Sequence, residues 1–133
     1  IKEATGSLDQ MTAIKDLCPR DFLLISGDDA ITLPILSIGG VGVISVLANI
    51  MPQDVEELVR SFEAKDIKKA ERLHISLYSI IKMLFIETNP APVKAAMNLM
   101  GMISDEVRLP LVKVCSENRN KIASVLKKYG LIT

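Results

Sequence analysis

The spacing of hydrophobic positions changes character along the chain. Residues 1–4 read as the end of an extended segment. Ser7 and Gln10 then fit a capping box, the Ser hydroxyl and the Gln side chain each satisfying an end amide, and Leu8, Met11 and Ile14 follow at helical spacing. Cys18-Pro19 ends that helix. Phe22-Leu23-Leu24-Ile25 is a continuous apolar run, which predicts a strand buried on both faces. Asp28-Asp29 stands where a helix N-terminus favours carboxylates. Ile31, Leu33, Ile35, Leu36 and Ile38 form the next helix, and Gly39-Gly40 stops it as a C-cap. Val43-Ile44-Ser45-Val46 is a further buried strand. The order strand–helix–strand–helix–strand, with tight connections, predicts parallel strands and right-handed crossovers.

Beyond Asn49 the period is helical throughout. Pro52 suits a first helical turn, and the helix runs to about Ala64. Asp66 caps a long helix bearing Ile67, Ala70, Leu73, Leu77, Ile80, Ile81 and Leu84. Asn89-Pro90-Ala91-Pro92 interrupts it, and residues 93–100 form a short helix ended by Gly101. Leu109-Pro110-Leu111 reads as an extended link, and Ser116 caps a last helix that closes at Tyr129-Gly130. Three buried strands alone leave edges and a face uncovered. The chain opens on Ile1 rather than Met, without a signal peptide and already inside an element, which predicts processing or a larger parent protein. A complete (β/α)₈ barrel takes roughly 250 residues, so the expected fold is the later part of a larger α/β protein.

Composition narrows the function classes. Sixteen Lys and Arg balance 16 Asp and Glu, which argues against the basic stripe of a nucleic-acid binder. Aromatic residues are 4% and Trp is absent, which argues against base-stacking platforms. No apolar run reaches the roughly 18 residues of a membrane span. Cys18 and Cys115 lack metal-ligand spacing, and one His builds no His-rich metal centre. Free thiols in a reducing cytoplasm are the expectation.

Few residues offer chemistry. Lys2 shares a strand face with Ala4, opposite Ile1 and Glu3. It is either a solvated lysine, as most are, or an amine enclosed in a barrel. Enclosure disfavours the charged form, and a neutral amine adds to a ketone to give a Schiff base. Ser26-Gly27-Asp28-Asp29 follows a strand and opens a helix, where barrel active sites are built. Gly27 lets a substrate approach the backbone, whereas the aspartates read in the first place as helix caps. Gly39-Gly40-Val41-Gly42 follows a helix and precedes a strand, the reverse of a dinucleotide-binding loop, so nucleotide binding is rejected. His74 lies on the long helix with no defined acid or nucleophile beside it. Tyr78, Tyr129 and the methionines at 97, 100 and 102 read as packing, and Lys127-Lys128 suits a helix C-terminus.

These segments together resemble a known family. Ile1-Lys2-Glu3-Ala4-Thr5-Gly6, Leu24-Ile25-Ser26-Gly27-Asp28-Asp29-Ala30 and Gly39-Gly40-Val41-Gly42-Val43-Ile44-Ser45-Val46-Leu47-Ala48-Asn49 carry the match in order and spacing. Phe85-Ile86-Glu87-Thr88-Asn89-Pro90-Ala91-Pro92-Val93-Lys94 and Arg108-Leu109-Pro110-Leu111 extend it. The chain resembles the C-terminal half of the dihydrodipicolinate synthase family, within the class I pyruvate-dependent aldolases. The resemblance implies strands six to eight of a (β/α)₈ TIM barrel in residues 1–51. Residues 52–133 would hold the last barrel helix and a C-terminal α-helical domain. It implies a lyase that condenses pyruvate with L-aspartate 4-semialdehyde in lysine and diaminopimelate biosynthesis, in the cytoplasm, without metal or cofactor. Lys2 matches the Schiff-base lysine, Gly27 a pocket-lining glycine, and Ile44 a residue whose backbone carbonyl faces that lysine. Leu8 and Ile38 match positions near a dimer–dimer contact in a homotetramer.

The same resemblance implies absences. The family's proton-shuttling tyrosine, threonine relay and carboxylate-binding arginine belong to its N-terminal half, as does the lysine-feedback site, and neither Tyr78 nor Tyr129 matches the tyrosine. Two other readings remain beside the synthase: another pyruvate aldolase of the N-acetylneuraminate lyase kind, and a non-catalytic piece that only assembles with partner chains.

Overall fold

The computed structural model describes residues 1–133. The chain divides into two compact units, Ile1–Ser76 and Leu77–Thr133. The first begins with β1 (Lys2–Glu3), α1 (Leu8–Leu17) and β2 (Ile25–Ser26). A 3₁₀ turn at Asp29–Ile31 leads into α2 (Thr32–Ser37), and a second 3₁₀ turn, Leu47–Asn49, precedes α3 (Pro52–Glu63). β1 and β2 pair in parallel, Lys2 opposite Ile25 and Glu3 opposite Ser26.

The strands are shorter than the apolar runs suggest. The run at 22–25 yields a two-residue strand shifted toward Ser26. The expected third strand at 43–46 is a single parallel bridge between Ser26 and Val43. Its ladder is nonetheless continuous: Val41 N donates to Leu24 O at 2.9 Å, Ser26 N to Gly42 O at 2.8 Å, and Ile44 N to Ser26 O at 2.8 Å. Burial on both faces is also not observed. Leu24 and Ser26 are fully buried, whereas Leu23, on the opposite face, is 59% exposed. Helices cover one face of this short sheet. On that face Met11 of α1, Leu24 and Ile35 of α2 form a fully buried cluster, with Ile14, Ile31 and Ile38 packed around it. Each such side chain contributes about 1.5–3 kcal/mol by leaving water.

Local signals set the helix ends. Ser7 Oγ accepts from Gln10 N at 3.2 Å, but the reciprocal half of the capping box does not form. Ser7 N donates instead to Thr5 Oγ1, so the Gln side chain has no amide to satisfy. Cys18 N donates back to Ile14 O, and Pro19 prevents continuation. α2 ends at Gly39, whose φ of 89° is left-handed, with Gly40 N returning to Ile35 O and Gly39 N to Leu36 O. α3 ends in the same two-bond motif, Asp66 N to Ser61 O and Lys65 N to Phe62 O, but here a lysine holds the left-handed position, with φ 63°. Asp66 Oδ1 then accepts from Lys69 N and caps α4 (Ile67–Met83).

In the second unit, α5 (Ala91–Leu99) packs against α6 (Ser116–Lys128). α5 presents Ala91, Val93, Ala95 and Ala96, and α6 Ile122 and Leu126, all buried. Between them Asp105 binds Lys113 at 2.7 Å and Arg119 at 3.0 Å, and Arg119 reaches Asn98 at 2.7 Å. Two expectations change here. Leu109-Pro110 lies in a turn closed by Leu111 N to Arg108 O rather than in an extended link. Ser116 is the first residue of α6, not its cap. Cys115 occupies the cap position, and Glu87 Oε1 accepts from Cys115 N and Asn118 Nδ2. A carboxylate from elsewhere in the sequence thereby satisfies the helix N-terminus.

Candidate active site

Lys2, Gly27 and Ile44 come together on the uncovered face of the parallel sheet. The register puts Lys2 beside Ile25, and alternation puts Gly27 on that same face. Gly27 N donates to Glu3 O at 2.6 Å. A Cβ built on Gly27 would lie 2.9 Å from Lys2 Cε and 2.6 Å from Ala4 Cβ. The lysine stem therefore passes directly over the glycine. Across the next ladder step, Ser26 pairs with Val43, which sets Ile44 level with Gly27. Ile44 is 50% exposed, and Lys2 and Ala4 are exposed as well. Of the two readings of Lys2, the solvated one describes this chain, because no layer lies against its face.

The opposite face is closed and polar at its rim. Glu3 is 5% exposed. Its carboxylate accepts from Thr5 N at 2.9 Å and Thr5 Oγ1 at 2.8 Å, which folds the chain from β1 into α1. Burial pushes the Glu3 carboxyl up, but the hydrogen bonds from Thr5 and Ala4 outweigh it and hold the group below the ordinary glutamate value. Ser26 Oγ donates to Asp28 O and accepts from Asp28 N, which shapes the turn beyond Gly27.

The two aspartates have separate tasks. Asp28 caps the 3₁₀ turn, its Oδ1 accepting from Ala30 N at 2.8 Å. Asp29 is 3% exposed and reaches across to the third segment. It accepts from the Ser45 hydroxyl, from Val46 N at 2.9 Å and from Leu47 N at 3.3 Å, while Ser45 Oγ accepts from Ala48 N. Sequence reading treats the pair as caps and misses this tether. The available signal is that a cap needs one carboxylate and the motif supplies two.

The remaining candidates lie apart from this constellation. Leu8 is 40% exposed at the start of α1, and Ile38, half-buried, packs on the Met11 cluster. His74 is half-buried with Nδ1 unpartnered, and burial pulls its pKa below the ordinary histidine value. No group of three or more His, Cys, Asp or Glu side chains could hold a metal ion. No helix is long and apolar enough to cross a membrane.

Comparison with known proteins places the chain in a family. The dihydrodipicolinate synthetase family matches residues 1–129. The 4-hydroxy-tetrahydrodipicolinate synthase of Endomicrobium trichonymphae is 54% identical over 132 residues, and that of Syntrophus aciditrophicus 52%. These alignments cover 99% of this chain and 45% of each relative, so the chain spans under half the length of either. Among solved structures, dihydrodipicolinate synthase from Aquifex aeolicus superposes with a TM-score of 0.94 at 45% identity, covering 98% of this chain and 44% of that one. The Thermotoga maritima enzyme gives 0.94 at 41%, covering 99% and 46%. With parallel strands, helical crossovers and these neighbours, the fold is of the α/β class, and the chain belongs to the dihydrodipicolinate synthetase family.

Proposed function

We propose that this chain is the C-terminal half of a 4-hydroxy-tetrahydrodipicolinate synthase, with Lys2 as its Schiff-base residue. The observation that carries the reading is the placement of Lys2 over Gly27, on the open face of a parallel sheet, in a chain 54% identical to a synthase. The face around Lys2 presents Leu23, Ile25 and Ile44. Apolar residues on both faces are the mark of a strand enclosed on both sides, so this face suits the interior of a barrel. We read β1, β2 and the Val43 segment as strands six to eight of a (β/α)₈ barrel. Residues 1–51 then form the barrel part, and 52–133 the last barrel helix and a C-terminal helical domain.

In that setting Lys2 Nζ adds to the ketone carbon of pyruvate, and water leaves as the imine forms. Loss of a methyl proton gives the enamine, whose carbon attacks the aldehyde of L-aspartate 4-semialdehyde. The amine of the bound semialdehyde then displaces Lys2 in a transimination that closes the ring. Gly27 gives room to the lysine stem, and Ile44 walls the site beside it, its carbonyl toward the amine. The reaction needs no metal or cofactor. Leu8 and Ile38 would lie near a dimer–dimer contact of a homotetramer, and the setting would be cytoplasmic lysine and diaminopimelate biosynthesis.

The test uses this chain joined to the N-terminal half of the Endomicrobium trichonymphae relative, hereafter the completed protein. Incubation with pyruvate and borohydride, then peptide mapping, should place a reduced pyruvyl adduct on Lys2. Lys2→Ala should abolish it together with condensation of the semialdehyde. An adduct on another lysine, or turnover of N-acetylneuraminate in place of the semialdehyde, would overturn the assignment.

A further inference from the structure

The Asp29 tether holds the third segment where its backbone ladder to β2 ends. The third segment has one bridge and no strand. Its N-terminal side is fixed by Val41 N, by Gly42 O and by Ile44 N, all bonded to the residues of β2 or just before it. Immediately after Ile44 the ladder stops. From there three consecutive residues are held by one carboxylate: the Ser45 hydroxyl and the amides of Val46 and Leu47 all donate to Asp29. The acceptor is 3% exposed and three donors meet its two oxygens. Charge-assisted bonds of this kind are about twice as strong as neutral ones. Ile44 therefore sits between a backbone anchor at its own amide and a side-chain anchor at the next residue. It is level with Gly27, whose position is spanned by the Lys2 stem.

We propose that Asp29 is a positioning residue of the lysine site: by holding the 45–47 turn it fixes Ile44 beside Gly27 and so sets the approach of a ketone to Lys2. The proposal rests on the reading of Lys2 as the imine-forming residue. Asp29 itself touches neither Lys2 nor a substrate. It acts through Ser45 and the two amides that follow. Removing one anchor lets the Ile44 wall shift without unpacking Met11, Leu24 and Ile35, which lie on the covered face.

The experiment measures the rate of pyruvyl adduct formation on Lys2 in the completed protein, by borohydride quenching over a range of pyruvate concentrations. Ser45→Ala deletes one donor, and Asp29→Asn replaces the charged acceptor by a neutral one of the same shape. We expect Asp29→Asn to slow adduct formation at saturating pyruvate roughly tenfold, with the half-saturating concentration within about twofold of the unsubstituted protein. Ser45→Ala should slow it about threefold, and because it also strands the Ala48 amide its thermal midpoint should fall modestly as well. A merely structural role predicts the opposite split, a lowered midpoint with an unchanged rate per folded molecule, and that result overturns the proposal. Should Asp29→Asn fail to fold, Ser45→Ala alone decides, and an unchanged rate there counts against it. Absence of any Lys2 adduct in the unsubstituted protein would remove the reading of Lys2 and this proposal with it. A Lys2 adduct with unaltered variant kinetics would remove this proposal alone.

Discussion

Replacing Gly27 by alanine tests the central geometric claim, that the lysine stem occupies the space a side chain would take. The added Cβ would meet Ala4 Cβ at 2.6 Å, Lys2 Cε at 2.9 Å and Glu3 O at 3.1 Å. Carbon atoms settle at about 3.5–4.0 Å, so the closest approach is short by roughly 1 Å. Lys2 Cε is the far part of a flexible chain and can swing aside. Glu3 O belongs to β1 and Ala4 Cβ to the residue that follows it, and neither can move without opening the Gly27 N to Glu3 O bond. Overpacking of this kind costs about 1–3 kcal/mol. The φ of Gly27 is not left-handed, so alanine also narrows the unfolded ensemble and returns about 0.4–1 kcal/mol. The net expectation is a loss of about 1–2 kcal/mol, measured by urea unfolding of the completed protein. Ala4→Gly removes the shortest contact. In the double variant most of the stability should return, with a coupling energy of about 1 kcal/mol. The Lys2 stem is still displaced there, so pyruvate trapping should stay impaired while the fold recovers. A Gly27→Ala protein as stable as its parent, with no coupling to Ala4, would refute the claim that packing against β1 requires glycine at this position.

Three further outcomes are expected. Lys65→Gly relieves a left-handed lysine and should stabilise by about 0.5–1 kcal/mol, whereas Gly130→Ala, at φ 69° with nothing within 4 Å of its Cβ position, should cost about 1 kcal/mol through the backbone alone; thermal midpoints of both variants check the pair. Hydrogen bonds from Asn118 and Cys115 hold the Glu87 carboxyl below the ordinary glutamate value, so its contribution is complete above about pH 4.3 and fades as the pH falls through the lower folded value; Glu87→Gln keeps the acceptor but not the titration and should flatten the acid limb of a stability-versus-pH curve. The 133-residue chain by itself should show negligible synthase activity and should self-associate, because Leu23 and Ile44 stay half in water at about 1 kcal/mol forgone per side chain; a compact, active monomer in sedimentation and turnover assays would count against the half-barrel reading.

The helices were legible because their boundaries are local. Cys18-Pro19, Gly39, Asp66, Gly101 and Gly130 act within a turn or two of their own positions, and a reader of the sequence sees both the group and its target. The strands were less so. A strand boundary is set by the hydrogen bonds of another segment, and the run at 22–25 carries no mark that pairing shifts toward Ser26. The capping box lost to a local competitor. Thr5, itself held by Glu3, reached the Ser7 amide first. The cap of α6 comes from Glu87, 28 residues before Cys115, a distance over which adjacent residue types give no signal. The cap–tether division between Asp28 and Asp29 has a similar origin, since Ser45 lies 16 residues away.

The candidate site was legible to the extent that it depends on strand parity. In β1 one residue step separates the exposed Lys2 from Glu3, which is 5% exposed, so the two charged side chains meet opposite conditions. On the covered side a carboxylate persists because Thr5 and Ala4 satisfy it, and there it fixes the turn into α1. On the open side an amine has space above a glycine and apolar neighbours along the sheet. Slipping β1 by one residue would exchange these roles, placing the lysine against Met11 and Leu24 and the carboxylate above Gly27. Neither group could then serve: the ammonium would lose hydration without a partner, and the open face would lack a nucleophilic amine. The Gly27 N to Glu3 O and Ile25 N to Ile1 O bonds hold the pairing against that slip. The chemistry assigned to Lys2 and the folding of the α1 connection therefore depend on the same register, and a variant that disturbs one should disturb the other.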